Sequence, residues 1–246
     1  MSVCFFRIPE DFNDAKDKIY ILDTKCADVN GDGLDEIITI TGKKPYGEDG
    51  FIEDITLNVK NKKTNVDISI KPKDNAGYEP NLFIGKFGDD NIPKVFLSIN
   101  SGGSGGYYFN YIYSFKDNIA MLIFDYEKFS KNNQYAAVYE HYYKVRVKSK
   151  KSNLEGVIDL KSIRDKEYLS QIYDTNGKFK KPITGEVLFL GNLSALSLNG
   201  SSGFSLLTHQ RIIGLYNADT LGSVESILHW DGYKFSPISS QLVVPM

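Results

Sequence analysis

The sequence has few of the residues that form disulfide networks or transition-metal sites. Its 246 residues include two cysteines and three histidines. None of them is spaced as CxxC, HxH or HExxH, which are the patterns that bring such ligands together on one element. The sequence therefore does not predict a transition-metal site.

Targeting and membrane-spanning patterns are also missing. No apolar run approaches the ~20 residues of a transmembrane helix. Residues 1–11 lack a basic region and an apolar core of about 7–15 residues, so no secretory signal is predicted. We therefore expect a cytoplasmic protein as encoded, with spore or cell-surface association left open. Cys4 and Cys26 could pair in an oxidising compartment, but without a signal peptide free, buried thiols are the interpretation we favour.

Neither sign of charge predominates. The formal net charge is −2, so nothing steers the protein toward nucleic acid or an anionic membrane. The chain has one basic strip, which consists of Lys144, Arg146, Lys148, Lys150 and Lys151. Charged residues on a solvent-exposed strand face, or residues that protect a sheet edge, explain it better than nucleic-acid binding does. No nucleic-acid partner is predicted, and a protein or carbohydrate ligand is left open.

What the chain does contain is alternation of apolar and polar residues with a period of two, which predicts half-buried β-strands. The apolar positions of four such runs are Ile55, Leu57 and Val59; Val66, Ile68 and Ile70; Tyr107, Phe109, Tyr111, Tyr113 and Phe115; and Tyr143, Val145 and Val147. The aromatic run could stack on sugars, but burial in a core explains it better. These runs predict an all-β protein.

Polar hairpin turns recur along the chain at a nearly constant interval. They begin at Asn61, Asp117, Asp174 and Asp231, with spacings of 56, 57 and 57 residues. Such a period indicates a repeat architecture. We predict a single domain, residues 1–246, built as a small β-propeller-like ring of about four four-stranded repeats. The strand Lys18–Leu22 would complete the last repeat and close the ring.

Two segments have sequence features of short helices. A single-turn helix is predicted over residues 10–16. Ser162–Asp165 has the look of a capping box, which would make Asp165–Tyr173 helical. The repeat register instead makes that segment a strand leading to the Asp174 turn, and the strand is the interpretation we favour.

The most informative segment is Asp28–Glu36. Oxygen-bearing side chains stand at its first, third, fifth and ninth positions, which are Asp28, Asn30, Asp32 and Glu36, and Gly33 stands at the sixth. This alternation lets a short loop wrap oxygen ligands around Ca²⁺. The β-branched residues that follow predict a strand and exclude an EF-hand, which continues into a helix. A solvated turn rich in Asp and Asn is the alternative.

Two further segments are degraded copies of this loop. Lys86–Lys94 lies 58 residues after the first copy, and Ser197–Gly203 lies two periods further. Lysines at the first and ninth positions of the second copy would repel a cation, and the third copy has no acid. Both are predicted to bind no metal.

The loop and the ~57-residue repeat resemble the FG-GAP/VCBS repeat proteins, relatives of the integrin alpha N-terminal propeller. Gly42–Tyr46, Ser101–Tyr107 and Arg211–Gly222 also resemble segments of uncharacterised VCBS-repeat proteins from low-GC, spore-forming bacteria. The resemblance implies a β-propeller with a structural or adhesive role and a bound Ca²⁺. By position, its ligands would be Asp28, Asn30, Asp32, the backbone carbonyl of Leu34, and Glu36.

No catalytic constellation stands out. Gly102–Gly106 matches the G-x-S-x-G pattern, but strands are predicted on both sides of it, whereas a nucleophile elbow needs a strand followed by a helix. Arg211, Asn217 and Asp219 could line a binding surface or fix a turn.

We therefore expect a non-enzymatic, calcium-binding structural or binding module. The alternative is a hydrolase, or an enzyme acting on glycans or lipids, with its site assembled from distant loops. A calcium-responsive switch is a third reading, which predicts a change of shape when the metal is removed.

Overall fold

The computed structural model describes residues 18–47, 49–61, 63–103 and 105–245. Within them lie fifteen strands in three sheets, so the all-β prediction is confirmed. The chain divides into two compact units. The first contains Met1–Tyr126, Ser197–Ser205 and His229–Ser236, and the second contains Glu127–Leu196, Leu206–Leu228 and Pro237–Met246.

The first unit contains two four-stranded antiparallel sheets, in each of which consecutive strands pair. The strands of the first sheet are β1 (Ile19–Ala27), β2 (Glu36–Lys43), β3 (Glu53–Lys60) and β4 (Asp67–Ile70). Those of the second are β5 (Tyr78–Gly85), β6 (Lys94–Asn100), β7 (Tyr108–Ser114) and β8 (Met121–Asp125).

Both sheets contribute alternate residues to one core. Ile55, Leu57 and Val59 of β3 are all buried, as their alternation predicts. The aromatic run is also part of this core, since Tyr111 and Tyr113 are buried there. Burial raises the pKa of Tyr113 to about 12.

The third sheet has seven strands and is nearly closed, with a barrel-like curvature. Its order is β11-β10-β9-β12-β13-β14-β15. The elements of this part of the chain are α1 (Tyr126–Asn132), β9 (Tyr135–Glu140), β10 (Lys144–Ser149), β11 (Glu155–Asp159), α2 (Lys166–Ile172), β12 (Thr184–Ser197), β13 (Phe204–Ile213), β14 (Thr220–Trp230) and β15 (Phe235–Val243).

This sheet corrects the division into four repeats. The first two predicted repeats correspond to four-stranded sheets, but the C-terminal half of the chain forms one sheet, so a four-bladed propeller is not what the structure shows. The N-terminal strand β1 pairs with β2 and does not complete a last repeat. The single-domain assignment stays a prediction.

The turn at Asp174 shows where the repeat fails. The turns at Asn61, Asp117 and Asp231 each join two neighbouring strands of one sheet, whereas Asp174 follows a helix. The strand predicted for that segment is wrong. Asp165 caps α2, its side chain accepting a 2.8 Å hydrogen bond from Tyr168 N, which stabilises the first turn.

Three remaining predictions concern the ends of the chain and its cysteines. The helix predicted over residues 10–16 lies outside the described residues, as does Cys4. Cys26 is disulfide-bonded, so the prediction of a free thiol there is wrong. None of the helices in the described ranges is long and apolar enough to cross a membrane.

Candidate functional site

The loop that joins β1 to β2 is held by hydrogen bonds from its own backbone to its polar side chains. Asp28 accepts from Gly31 N at 2.6 Å and from Gly33 N at 2.9 Å. Asn30 Oδ1 accepts from Asp32 N, and Asp32 Oδ1 accepts from Leu34 N. Because Gly31 and Gly33 have φ of 88° and 86°, these turns require glycine. The sequence pattern thus produces a chain of tight turns.

Glu36, the first residue of β2, fastens the loop from inside. Its side chain is buried, with 1% of the residue exposed. Oε2 accepts from the backbone N–H groups of Val29 and Asn30 at 3.0 and 3.2 Å. Oε1 accepts from Asn30 Nδ2 at 3.1 Å and from Asn61 Nδ2 at 2.8 Å. Four donors therefore fill the acceptor sites of one carboxylate. Burial raises the pKa of Glu36, although the backbone donors act against that rise.

Oxygen atoms crowd around one point in this loop, the side-chain nitrogen of Asn30. Three lie within hydrogen-bonding distance of it: Asp32 Oδ2 at 3.3 Å, Glu36 Oε1 at 3.1 Å and Asn118 Oδ1 at 3.1 Å. An amide NH₂ has two hydrogen atoms, so there are more acceptors than hydrogens. Asn118 comes from the turn between β7 and β8, where Asp117 N also donates to the carbonyl of Asn30.

Asn61, from the turn between β3 and β4, gives this region its second amide. Its Oδ1 accepts from Lys63 N and Thr64 N at 2.9 and 3.0 Å, which fixes the orientation of the group. Its Nδ2 therefore faces Asp32 Oδ2 at 3.1 Å as well as Glu36. The hydrogen bond from Asn61, followed by that from Leu34 N, lowers the pKa of Asp32.

The structure brings together three of the five predicted ligands, Asn30, Asp32 and Glu36. Asp28 lies at the exposed side of the loop, and Leu34 donates its N–H to Asp32. Within the described part of the chain, no group of three or more His, Cys, Asp or Glu side chains is arranged to hold a metal ion.

Sequence reasoning missed the two asparagines that close the site. Asn61 and Asn118 lie 31 and 88 residues from Asn30 along the chain. Their signal was nonetheless visible, because both belong to the hairpin turns that recur with the ~57-residue spacing.

The second loop, Lys86–Lys94, repeats the local geometry with a different interior. Asp90 Oδ1 accepts from Ile92 N at 2.9 Å, as Asp32 does from Leu34 N. Lys94 is buried, with 1% of the residue exposed. Its ammonium group donates to Asp90 Oδ2 at 2.6 Å and to the Ile92 carbonyl at 3.1 Å. Desolvation acts to raise the pKa of Asp90, but Lys94 holds it below its usual value. A side-chain cation thus lies between the fifth and seventh loop positions.

Gly88 explains why this second loop lacks a side chain at its third position. It has φ of 58°, and a Cβ there would lie 2.2 Å from the carbonyl oxygen of Trp230. No residue larger than glycine fits, so the counterpart of Asn30 is absent from this loop.

The polar loop after β13 fixes a turn. Arg211 Nη2 donates to Asn217 Oδ1 at 2.7 Å. The buried Asp219 accepts from Arg164 Nη2 at 2.7 Å, from the Tyr168 hydroxyl at 2.5 Å and from Leu215 N at 2.8 Å. Burial, followed by the hydrogen bond to Asp219, raises the pKa of Tyr168. Of the two roles that the sequence left open for these residues, the contacts show that of fixing a turn.

The other singled-out segments have ordinary environments. In the basic strip, Arg146 is paired with Glu140 and Glu155, so its charge is balanced on the strand face. Of the three histidines, His209 contacts Glu225 at 3.3 Å. The G-x-S-x-G segment joins β6 to β7, and its serine, Ser104, lies outside the described residues.

Comparisons with known proteins correct the family resemblance. Residues 133–243 match the family model of the YybI C-terminal domain, which takes in all seven strands of the third sheet. The chain is 34% identical over 208 residues to the uncharacterized protein YybI of Bacillus subtilis (strain 168), covering 85% of this chain and 79% of that protein. No solved structure matches.

These matches overturn the FG-GAP/VCBS resemblance, for which no family model matches. Four oxygen-bearing side chains and a glycine within nine residues specify a set of tight turns, and unrelated families use such turns. With a relative this similar over most of both sequences, the chain belongs to the YybI family.

Proposed function

We propose that this protein is a non-enzymatic structural or binding module whose first loop binds one Ca²⁺. The observation that carries the proposal is the crowding of three oxygen atoms around Asn30 Nδ2. Ca²⁺ favours clusters of oxygen ligands, both carboxylates and amide carbonyls. The ion would take the place that the amide nitrogen of Asn30 holds in this loop.

A half-turn rotation of the Asn30 side-chain amide would replace its NH₂ donor by an oxygen atom that can bind a cation. If Asn30 exchanged its Nδ2 and Oδ1 positions, one acceptor site each on Asp32 Oδ2 and Glu36 Oε1 would be freed, and Asn30 Oδ1 would join them. The change gives up the 2.8 Å hydrogen bond from Asp32 N. Losing one such bond costs about 1 kcal/mol, which weakens binding roughly fivefold. We therefore expect a weak site.

The second loop supports the proposal by comparison within the same chain. There a carboxylate and a carbonyl at the fifth and seventh positions hold the Lys94 ammonium. The equivalent residues in the first loop are Asp32 and Leu34, and the ninth position carries Glu36 in place of a lysine. The first loop thus has the same framework without the internal cation.

Calcium titration by isothermal calorimetry into chelator-treated protein tests the proposal. We expect one site per chain with Kd of about 10⁻⁴–10⁻³ M, lost in Asp32→Ala. Asp35→Asn is the matched control, because it removes an exposed neighbouring acid outside the ligand set. No heat and no calcium-dependent rise in Tm, or equal loss in both variants, would refute the site.

A gain-of-function variant gives the sharper test. Asn30→Asp replaces the donor with a carboxylate beside Asp32 and Glu36, so it should lower the Tm in chelator through like-charge repulsion. It should also tighten calcium binding by roughly tenfold, because affinity rises with the number of ligand charges. Thermal unfolding with and without calcium measures both effects. A variant whose Tm is insensitive to calcium would contradict the predicted position of the ion.

A further inference from the structure

A cleft in the second unit has features that neither the family match nor the calcium loop explains. It is a cavity of about 930 Å³ beside α2 and the Asp174 turn. Small-molecule sites in proteins occupy roughly 300–1,000 Å³. Its size alone therefore suits a small organic ligand.

Positive charge predominates along the cleft. Lys161, Lys166 and Lys180 line it. Among the described residues, no carboxylate lies within 4.0 Å of any of these three ammonium groups. Lys161 Nζ lies 4.6 Å from the centre of the Tyr143 ring, and Lys180 Nζ donates to the Ser170 carbonyl. The three ammonium groups therefore remain available to an anion.

The other charged residues of the lining are already engaged elsewhere. Arg164 is paired with the buried Asp219 at 2.7 Å. Asp165 caps α2, and Asp174 Oδ1 accepts from Asn176 N and Lys178 N at 2.8 Å each. Both carboxylates stay ionised, but with Arg164 paired to Asp219, three lysines against two carboxylates leave the lining with a net positive charge.

The uncharged lining combines two tyrosines and a leucine with the hydroxyl groups of Ser170 and Thr175. Tyr143 and Tyr173 pack with ring centres 4.8 Å apart, and Tyr173 stacks on Phe179 at 5.5 Å. The Tyr173 hydroxyl donates to the Glu140 carbonyl at 3.0 Å, so the polar end of this ring is satisfied by the protein. Leu169 of α2 adds an aliphatic surface. Tyr173 is itself only 2% exposed, so the accessible apolar surface of the cleft comes from Tyr143 and Leu169, with Tyr173 as a rigid support behind them.

We propose that this cleft is a binding site for a small anion with a planar, apolar body. The negative group pairs with Lys161, Lys166 and Lys180, and the planar body packs against Tyr143 and Leu169. Charge-assisted pairing supplies orientation, and burial of the apolar body supplies most of the affinity. This site lies within residues 133–243, the range of the family match, and is independent of the calcium loop.

Two probes that differ only in their charge test the proposal. Anilinonaphthalene sulfonate carries a sulfonate on a planar apolar body, and phenylnaphthylamine has the same rings without it. Fluorescence titration should give one anilinonaphthalene sulfonate per chain, with phenylnaphthylamine binding at least roughly tenfold more weakly, since one charge-assisted contact contributes about that factor. Equal affinity for the two probes would overturn the proposal.

Variants locate the site. Lys161→Gln with Lys166→Gln should weaken sulfonate binding by roughly tenfold or more. The matched control, Lys150→Gln with Lys181→Gln, removes two exposed lysines of the same unit outside the cleft lining and should leave binding unchanged. All four lysines are exposed, so both proteins should keep the parental Tm. Equal weakening in the two double variants would overturn the proposed location.

Discussion

Replacing Glu36 by alanine is expected to lower the free energy of unfolding by about 4 kcal/mol, an unusually large effect for one side chain. The reason is that four donors, two backbone and two amide N–H groups, lose their acceptor at the buried base of the loop, where Val29, Asn30 and Asn61 are all buried. Each unsatisfied buried donor costs about 1–3 kcal/mol, reduced where water enters. Urea unfolding at neutral pH in the presence of a chelator measures the change.

Two companion variants separate this explanation from a purely metal-binding role. Glu36→Gln keeps one acceptor oxygen, so about half of the loss is expected. Asp35→Ala removes the exposed neighbouring acid and should change the stability by no more than about 0.5 kcal/mol. If Glu36→Ala destabilised the protein only when calcium was present, its hydrogen bonds would not be what fastens the loop.

Most strands of the first unit could be predicted because each is a local pattern. Ile55, Leu57 and Val59 alternate with polar residues, and a strand with one buried face allows only that arrangement. The turns at Asn61 and Asp117 were also readable, since short polar turns between strands have a strong local signature.

The second unit was harder to predict because its sheet depends on distant pairings. Strand β9 pairs with both β10 and β12, across a segment that contains α2. The sequence around Asp165 fits a helix cap and a strand about equally well. In the structure the segment forms α2, whose first turn is capped by the hydrogen bond from Tyr168 N to Asp165. The strand that the repeat spacing predicted there is therefore wrong.

The candidate site shows the same division between local and distant information. The turns made by Asp28, Asn30 and Asp32 follow from the sequence, because each side chain bonds a backbone N–H at most five residues away. The donation from Asn61 and the acceptor on Asn118 depend on how the hairpins pack, which a single sequence does not report.

The second loop provides the other large expected effect. Asp90→Asn should lower the free energy of unfolding by about 3 kcal/mol, at the lower end of the range for breaking a buried ion pair. Asparagine retains an oxygen for the hydrogen bond from Ile92 N, so the variant removes mainly the charge that faces Lys94. The buried ammonium is then left with only the Ile92 carbonyl. Urea unfolding at neutral pH measures the loss.

A double variant shows whether the unpaired ammonium is the cause. Adding Lys94→Met to Asp90→Asn replaces the charge with an apolar side chain of similar length, and about 2 kcal/mol should return, because a buried ion pair can often be exchanged for apolar packing at little cost. If the single and double variants unfolded at the same urea concentration, Lys94 would not require its partner. Recovery would show that the unpaired Lys94 ammonium, and not the loss of the Asp90 charge in itself, destabilises the single variant.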